Sequence, residues 1–278
     1  MTVNLLYPDF FSFLDALAAG AEPWRAYRQI YFEPHREILS AYLSKVMRLP
    51  RQALRERVRA VRPQHYAHLR ELVTRADLAA VTRRAIQRCH RAARYAPPPQ
   101  LALLVGFFSP DAFLFRVSRR WCIGVGLERW RELDALPLFL AHEYGHYLRR
   151  LAISPSAGRF TLAEAIVSEG VAVAFSQHIY PERSLAEHLR VPPARLRWWQ
   201  QHAPLLWSKA MPRLGSSSPR VIQTFVSGDP RTNLSRCAAY LGCTAIAARL
   251  AQSPFPLGAA DQRITQAPAA QVLNCTVS

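Results

Sequence analysis

Lysine is almost missing from this chain. Lys45 and Lys209 are the only two among 36 basic residues, and the rest are arginine. Acidic residues are few as well, 19 in all, which leaves a net charge of +17 over 278 residues. An arginine bias can follow from genome composition as readily as from function. A field this positive still attracts nucleic acid, anionic membrane and acidic protein non-specifically. Cysteine is scarce too. Cys89, Cys122, Cys237, Cys243 and Cys275 make an odd number, and no C-x-x-C occurs. That argues against a disulfide scaffold and against a zinc site built from thiolates, and it reads as a reduced, cytoplasmic protein. No apolar run approaches the roughly 18 residues that span a bilayer. The early residues Asp9, Asp15 and Glu22 interrupt any secretory leader, and no basic stretch precedes them. No internal repeat is present.

What the chain does have is periodicity. Residues 1–95 read as helical, with Phe10, Phe13, Leu14 and Leu17 ahead of Gly20 and Pro23. Trp24 to Met47 forms a second helical region broken near Pro34. Arg51 to Arg62 is a basic amphipathic helix, with Leu54, Val58 and Val61 on the core side of a solvated arginine face. Leu69 to Tyr95 reads as one more helix, and His65, His68 and His90 in this region lack metal-like company. The prolines of A96-P-P-P-Q100 cannot continue a helix and mark a boundary. Beyond it, Leu101 to Phe108, Ala112 to Val117 and Trp121 to Leu127 are short and rich in β-branched and aromatic residues, so they read as three strands. The expected organisation is a helical region over 1–95 and a catalytic domain over 96–278. The expected class is α+β, mostly helical, with a small sheet next to one particular helix.

That helix contains A141-H-E-Y-G-H-Y147. His142, Glu143 and His146 form H-E-x-x-H. Residues four apart share a helix face, so both imidazoles can reach one zinc ion at about 2.0–2.1 Å. Glu143 stands close enough to act on a water without ligating the ion. Zinc lowers the pKa of water from roughly 15.7 to about 7, and the glutamate takes the proton. Leu133, Leu136, Leu140, Tyr144, Leu148 and Leu151 recur at helical spacing, Pro137 suits a first turn, Asp134 suits an N-cap, and Arg149 and Arg150 suit the C-terminal end of the dipole.

A third ligand is needed. T161-L-A-E-A-I-V-S-E-G-V-A-V-A-F175 is an apolar helix with two glutamates about 140° apart. Thr161 and Glu164 read as a capping box, which gives Glu164 a structural task. Glu169 has none, and a carboxylate in an apolar helix is costly unless paired or metal-bound. Glu169 is therefore the expected third ligand. Small Gly170 and Ala172 beside it would let the two helices cross closely. His178 lies about 180° round from Glu169 and is rejected. The segment 181–220 reads as helical with a loop around Gly215, a surface excursion or a lid.

H142-E-Y-G-H146 followed by S168-E-G-V-A172 resembles the gluzincin class of zinc peptidases. More closely, with G126-L-E-R-W130, T161-L-A-E-A-I-V-S-E-G170 and A239-Y-L-G242, the chain resembles a family of predicted bacterial Zn-dependent proteases known as a domain of unknown function. The resemblance implies a zincin-like fold, Zn²⁺ on His142, His146 and Glu169, and a peptide or protein substrate. It would place another histidine where the chain has Gly145 and an aromatic residue where it has Cys243. It also suggests that a strand beside the site, Ala112 to Val117 or Trp121 to Leu127, holds extended peptide by backbone pairing; the alternative is that both are plain sheet core. Late in the chain, Asn233 to Gln252 reads as a helix. Tyr240 is the candidate oxyanion partner by resemblance and Arg236 by chemistry. The expected function is zinc-dependent peptide hydrolysis with Glu143 as general base. The rival is a basic protein that binds nucleic acid or anionic surfaces and holds a non-catalytic metal.

Overall fold

The computed structural model describes residues 2–107, 110–152, 160–229 and 231–251, with Ala269 and Leu273. The expected loop over 154–158, Cys275 and the tail from Ser253 lie outside the described residues. The chain divides into two compact units, one of residues 1–90 with 97–143, the other of 91–96 with 144–278.

In the first unit a four-stranded sheet is made of β1 (Val3–Leu5), β2 (Gln100–Leu104), β3 (Ala112–Val117) and β4 (Arg120–Gly126), in the order β1-β2-β4-β3. β1 and β2 are parallel, β2 and β4 are parallel, and β3 and β4 form an antiparallel hairpin. Residues 1–95 are thus not helical throughout: Val3 pairs with Leu101 and Leu5 with Leu103. The first strand of the expected three stops at Leu104, and Phe107 takes a left-handed φ of 61°.

Helices follow the strands or precede them in order: α1 (Tyr7–Ala18), α2 (Pro23–Ala26), α3 (Arg36–Lys45), α4 (Arg51–Arg59), α5 (Ala67–Arg75) and α6 (Leu78–Ala92). A π-helical turn over Tyr27–Phe32 leads into the break expected near Pro34, a turn over residues 33–35 before α3. The helix expected over 69–95 is two helices, because Asp77 Oδ1 accepts from the Ala80 amide and starts a new one. On α4, Leu54, Val58 and the following Val61 are buried beneath exposed Arg51, Arg55 and Arg59, as its periodicity requires.

The core of this unit contains a cluster of aromatic rings among its leucines and valines. Phe10 packs edge to face against Phe13, Tyr31 and Tyr66. The buried hydroxyls of Tyr31 and Tyr42 donate to the carbonyls of Val105 and Gly106, at 2.8 and 2.7 Å, where the chain leaves β2. The G126-L-E-R-W130 stretch completes this corner. Glu128 is buried, its Oε1 accepts from the Gly106 amide, and its carbonyl meets His68 Nε2 at 2.9 Å.

The next helices are α7 (Leu136–Ala152), α8 (Leu162–Ile179), α9 (Leu185–Leu189), α10 (Pro193–Gln201), α11 (Ala203–Ala210), α12 (Pro219–Val226) and α13 (Cys237–Ala251). The dividing line between the units falls within α7, after Glu143. In the second unit α8 and α13 are the central pair, in one buried cluster with Trp199, Leu206 and Phe225. The carbonyls of Leu214 and Ser216 accept from the amides of Ala163 and Leu162, so the stretch around Gly215 finishes the start of α8. α13 starts four residues later than the pattern suggested. Arg236 sits just before it, with a left-handed φ of 66°. Among the described residues no helix is long and apolar enough to cross a membrane. Cys89, Cys122, Cys237 and Cys243 are buried free thiols.

Candidate metal centre

α7 is helical for reasons visible in its sequence. Pro137 occupies the first turn, where a missing amide is harmless. Leu136, Leu140, Tyr144 and Leu148 are buried at helical spacing. Leu133 and Asp134 form the turn leading in, and the helix begins at Leu136, too late for Asp134 to be its N-cap. His142, Glu143 and His146 lie together on this helix, each offering a ligand atom within 4.8 Å of the others. His142 is 1% exposed and Glu143 7%, so both work largely out of water.

The C-terminal half of α7 runs antiparallel to α8, and their contacts form a ladder. Arg149 pairs with Glu164 at 3.1 Å, His146 Nδ1 meets Ser168 Oγ at 3.0 Å, and Tyr144 stacks on Phe175 at 5.6 Å. Gly145 faces Ala172 so closely that a Cβ on residue 145 would come within 2.6 Å of the Ala172 Cα. That contact explains why glycine stands where the resemblance calls for histidine. Ser168 and Ala172, four apart, face α7 together.

Glu164 is engaged by Arg149. Thr161 Oγ1 accepts from the Glu164 amide, but the Glu164 carboxylate is turned to Arg149 rather than back to the cap, so only half of the expected box forms. Arg149, read from sequence as a dipole partner, is in fact buried and charge-paired. Glu169 stands one position round from Ser168, and its Oε1 is 3.5 Å from His146 Nε2. Two ligands each about 2.0–2.1 Å from one tetrahedral zinc lie about 3.3 Å apart, so this pair fits an ion between them. The donor set of imidazoles and a carboxylate also suits zinc.

Gly170 has a different partner from the one its sequence position suggested. It abuts Gly242 of α13, so the glycine at the end of A239-Y-L-G242 exists for the α8–α13 crossing. Tyr240 is buried and stacks on Trp199 at 5.8 Å. Burial, then the neighbouring Cys243, raises its phenol pKa. Tyr147, beside His146, has its pKa pushed up to about 12 by burial. His178 is exposed on α8. Of the two strands considered for peptide pairing, β4 is paired on both sides and β3 is a sheet edge. Ser168 escaped the sequence reading, since no pattern marks one serine in an apolar helix.

The fold and the cluster define a mostly helical α+β protein with a small sheet and a possible metal site on an H-E-x-x-H helix. The chain belongs to the family described as Predicted Zn-dependent protease (DUF2268), whose sequence model matches residues 123–273. That range includes His142, Glu143, His146, Glu169 and Tyr240. No curated protein and no solved structure matches the chain significantly.

Proposed function

We propose that the protein is a zinc metallopeptidase in which His142, His146 and Glu169 hold the ion. The observation that carries this reading is the 3.5 Å approach of Glu169 Oε1 to His146 Nε2, with the other nitrogen of that ring already engaged by Ser168. Bound zinc would polarise the scissile carbonyl and acidify water. Glu143 takes the proton of the attacking water and delivers it to the leaving nitrogen. Its low exposure strengthens its charge interactions inside the site. Tyr240 is the candidate oxyanion partner, since a phenol is protonated at neutral pH and can donate a hydrogen bond. The substrate is a peptide or protein. Buried free thiols suit a reducing compartment, and we place the protein in the cytoplasm.

The rival reading has its own observation. Arg28, Arg36 and Arg51 line one cleft with Trp24, and Arg51, Arg55 and Arg59 line the adjoining one. Elemental analysis of untagged protein separates the two. About one zinc per chain is expected in wild type, lost in His142→Ala and Glu169→Gln and kept in Glu164→Gln. Glu143→Gln keeps the metal and loses roughly 10²–10⁴-fold in peptide hydrolysis. A wild-type protein that takes up no zinc on reconstitution would end the peptidase reading and bring the basic clefts forward.

A further inference from the structure

Two successive residues of α8 address the two nitrogens of one imidazole. Ser168 Oγ is 3.0 Å from His146 Nδ1, and Glu169 Oε1 is 3.5 Å from Nε2. Ser168 is buried and the His146 side chain is 17% exposed, so water competes weakly for either nitrogen. We propose that Ser168 is a positioning residue that exchanges donor and acceptor roles with His146 when metal binds. The inference rests on the metal-site reading above.

A neutral imidazole carries one N–H and one lone pair, and a carboxylate can only accept. Without metal, both contacts are met when Nε2–H points at Glu169 and the Ser168 hydroxyl donates to Nδ1. To serve as a ligand, Nε2 must present its lone pair, so the ring proton moves to Nδ1. Ser168 must then accept, and its own hydrogen rotates away. The change asked of the ring is one of tautomer.

A hydroxyl can play both parts because it donates one hydrogen bond and accepts two. A carboxylate or a backbone carbonyl at this place could only accept. It would hold Nδ1–H in both states. Ser168 therefore lets the ring change tautomer with no heavy atom displaced, and it steadies the ring orientation in each state, as outer partners of metal-bound histidines do.

The test is the zinc dissociation constant by chelator competition for wild type, Ser168→Ala and Ser168→Thr. It is joined by ¹⁵N NMR of His146 in wild type with and without zinc. The alanine variant should bind zinc roughly 10–100-fold more weakly, and the threonine variant, which keeps the hydroxyl, should stay within a few-fold of wild type. His146 should carry its proton on Nε2 without zinc and on Nδ1 with it. Wild-type affinity in Ser168→Ala, or Nδ1–H in both states, overturns the role given to Ser168 while leaving the site intact. A wild type that binds no zinc overturns the site itself, and with it this inference. Should the alanine variant fail to fold, the wild-type tautomers and the threonine variant still decide.

Discussion

The first unit is assembled from large rings and the second from small gaps. Around Phe10 the contacts are edge-to-face aromatics, and tyrosine hydroxyls reach to the carbonyls where β2 ends. Around α8 the decisive contacts are backbone on backbone, Gly145 against Ala172 and Gly170 against Gly242. Rings can tilt and repack when a neighbour changes, at costs of usually less than about 1.5 kcal/mol for volume-conserving swaps. Two helices meeting at glycines have no side chain to yield. The second unit therefore fixes helix spacing tightly, and it is there that the His146, Ser168 and Glu169 distances must hold.

The sharpest way to break this comparison is Gly242→Ala. The new methyl would meet Gly170 Cα at 2.8 Å and the Ile166 carbonyl closer still. We expect a cost of about 3 kcal/mol, the upper end for overpacking, seen as a Tm fall of roughly 6–12 °C. Zinc affinity should fall with it. A Tm within about 2 °C of wild type would show that the crossing has slack.

Tyr31→Phe probes the first unit with a smaller change. The hydroxyl both donates to the Val105 carbonyl and accepts from the Val105 amide, at 2.8 and 3.0 Å. Losing it should cost about 1–3 kcal/mol in urea unfolding and leave zinc binding unchanged. Altered zinc affinity would mean that the corner held by Tyr31 also bears on the metal site.

His188 gives the smallest expected effect. It is a buried polar group in the second unit, held between Ser176 Oγ and the Tyr180 carbonyl. Burial lowers its pKa below the ordinary value of about 6.5. The unfolded chain therefore binds this proton at a higher pH than the folded one. The contribution is complete above about pH 6.5 and is lost as pH falls from there through the folded pKa. His188→Gln should flatten that part of the Tm–pH curve, and a curve parallel to wild type would assign the pH dependence elsewhere.

Much of this was legible in the sequence because it depends on local period. The H-E-x-x-H helix, the core stripe of α4 and strands β3 and β4 follow from spacing alone. So does the separation of Glu164 from Glu169, because Thr161 announces the start of α8. What depends on a distant partner was not legible. β1 is three residues long, too short to alternate visibly, and it exists because Leu101 and its neighbours offer an edge. Arg149 reads from its position as a dipole partner, and its pairing with Glu164 depends on a second helix. Gly170 suggested the nearer helix in sequence, whereas its partner lies 72 residues on, at Gly242.

Gly145 sits one residue before His146, at the point where α7 touches α8. Any larger residue there must lift α8 away, and Ser168 and Glu169 ride on that helix. The size of residue 145 thus acts as a spacer gauge for the site: it sets how far a carboxylate and a hydroxyl stand from one imidazole. A relative with a bulkier residue at this position has to recover the distance on the other helix, by a compensating change opposite it or a longer side chain in place of Ser168. Positions 145, 168 and 172 should accordingly vary as a set across the family, and a swap at one of them alone should detune metal affinity before it unfolds the protein.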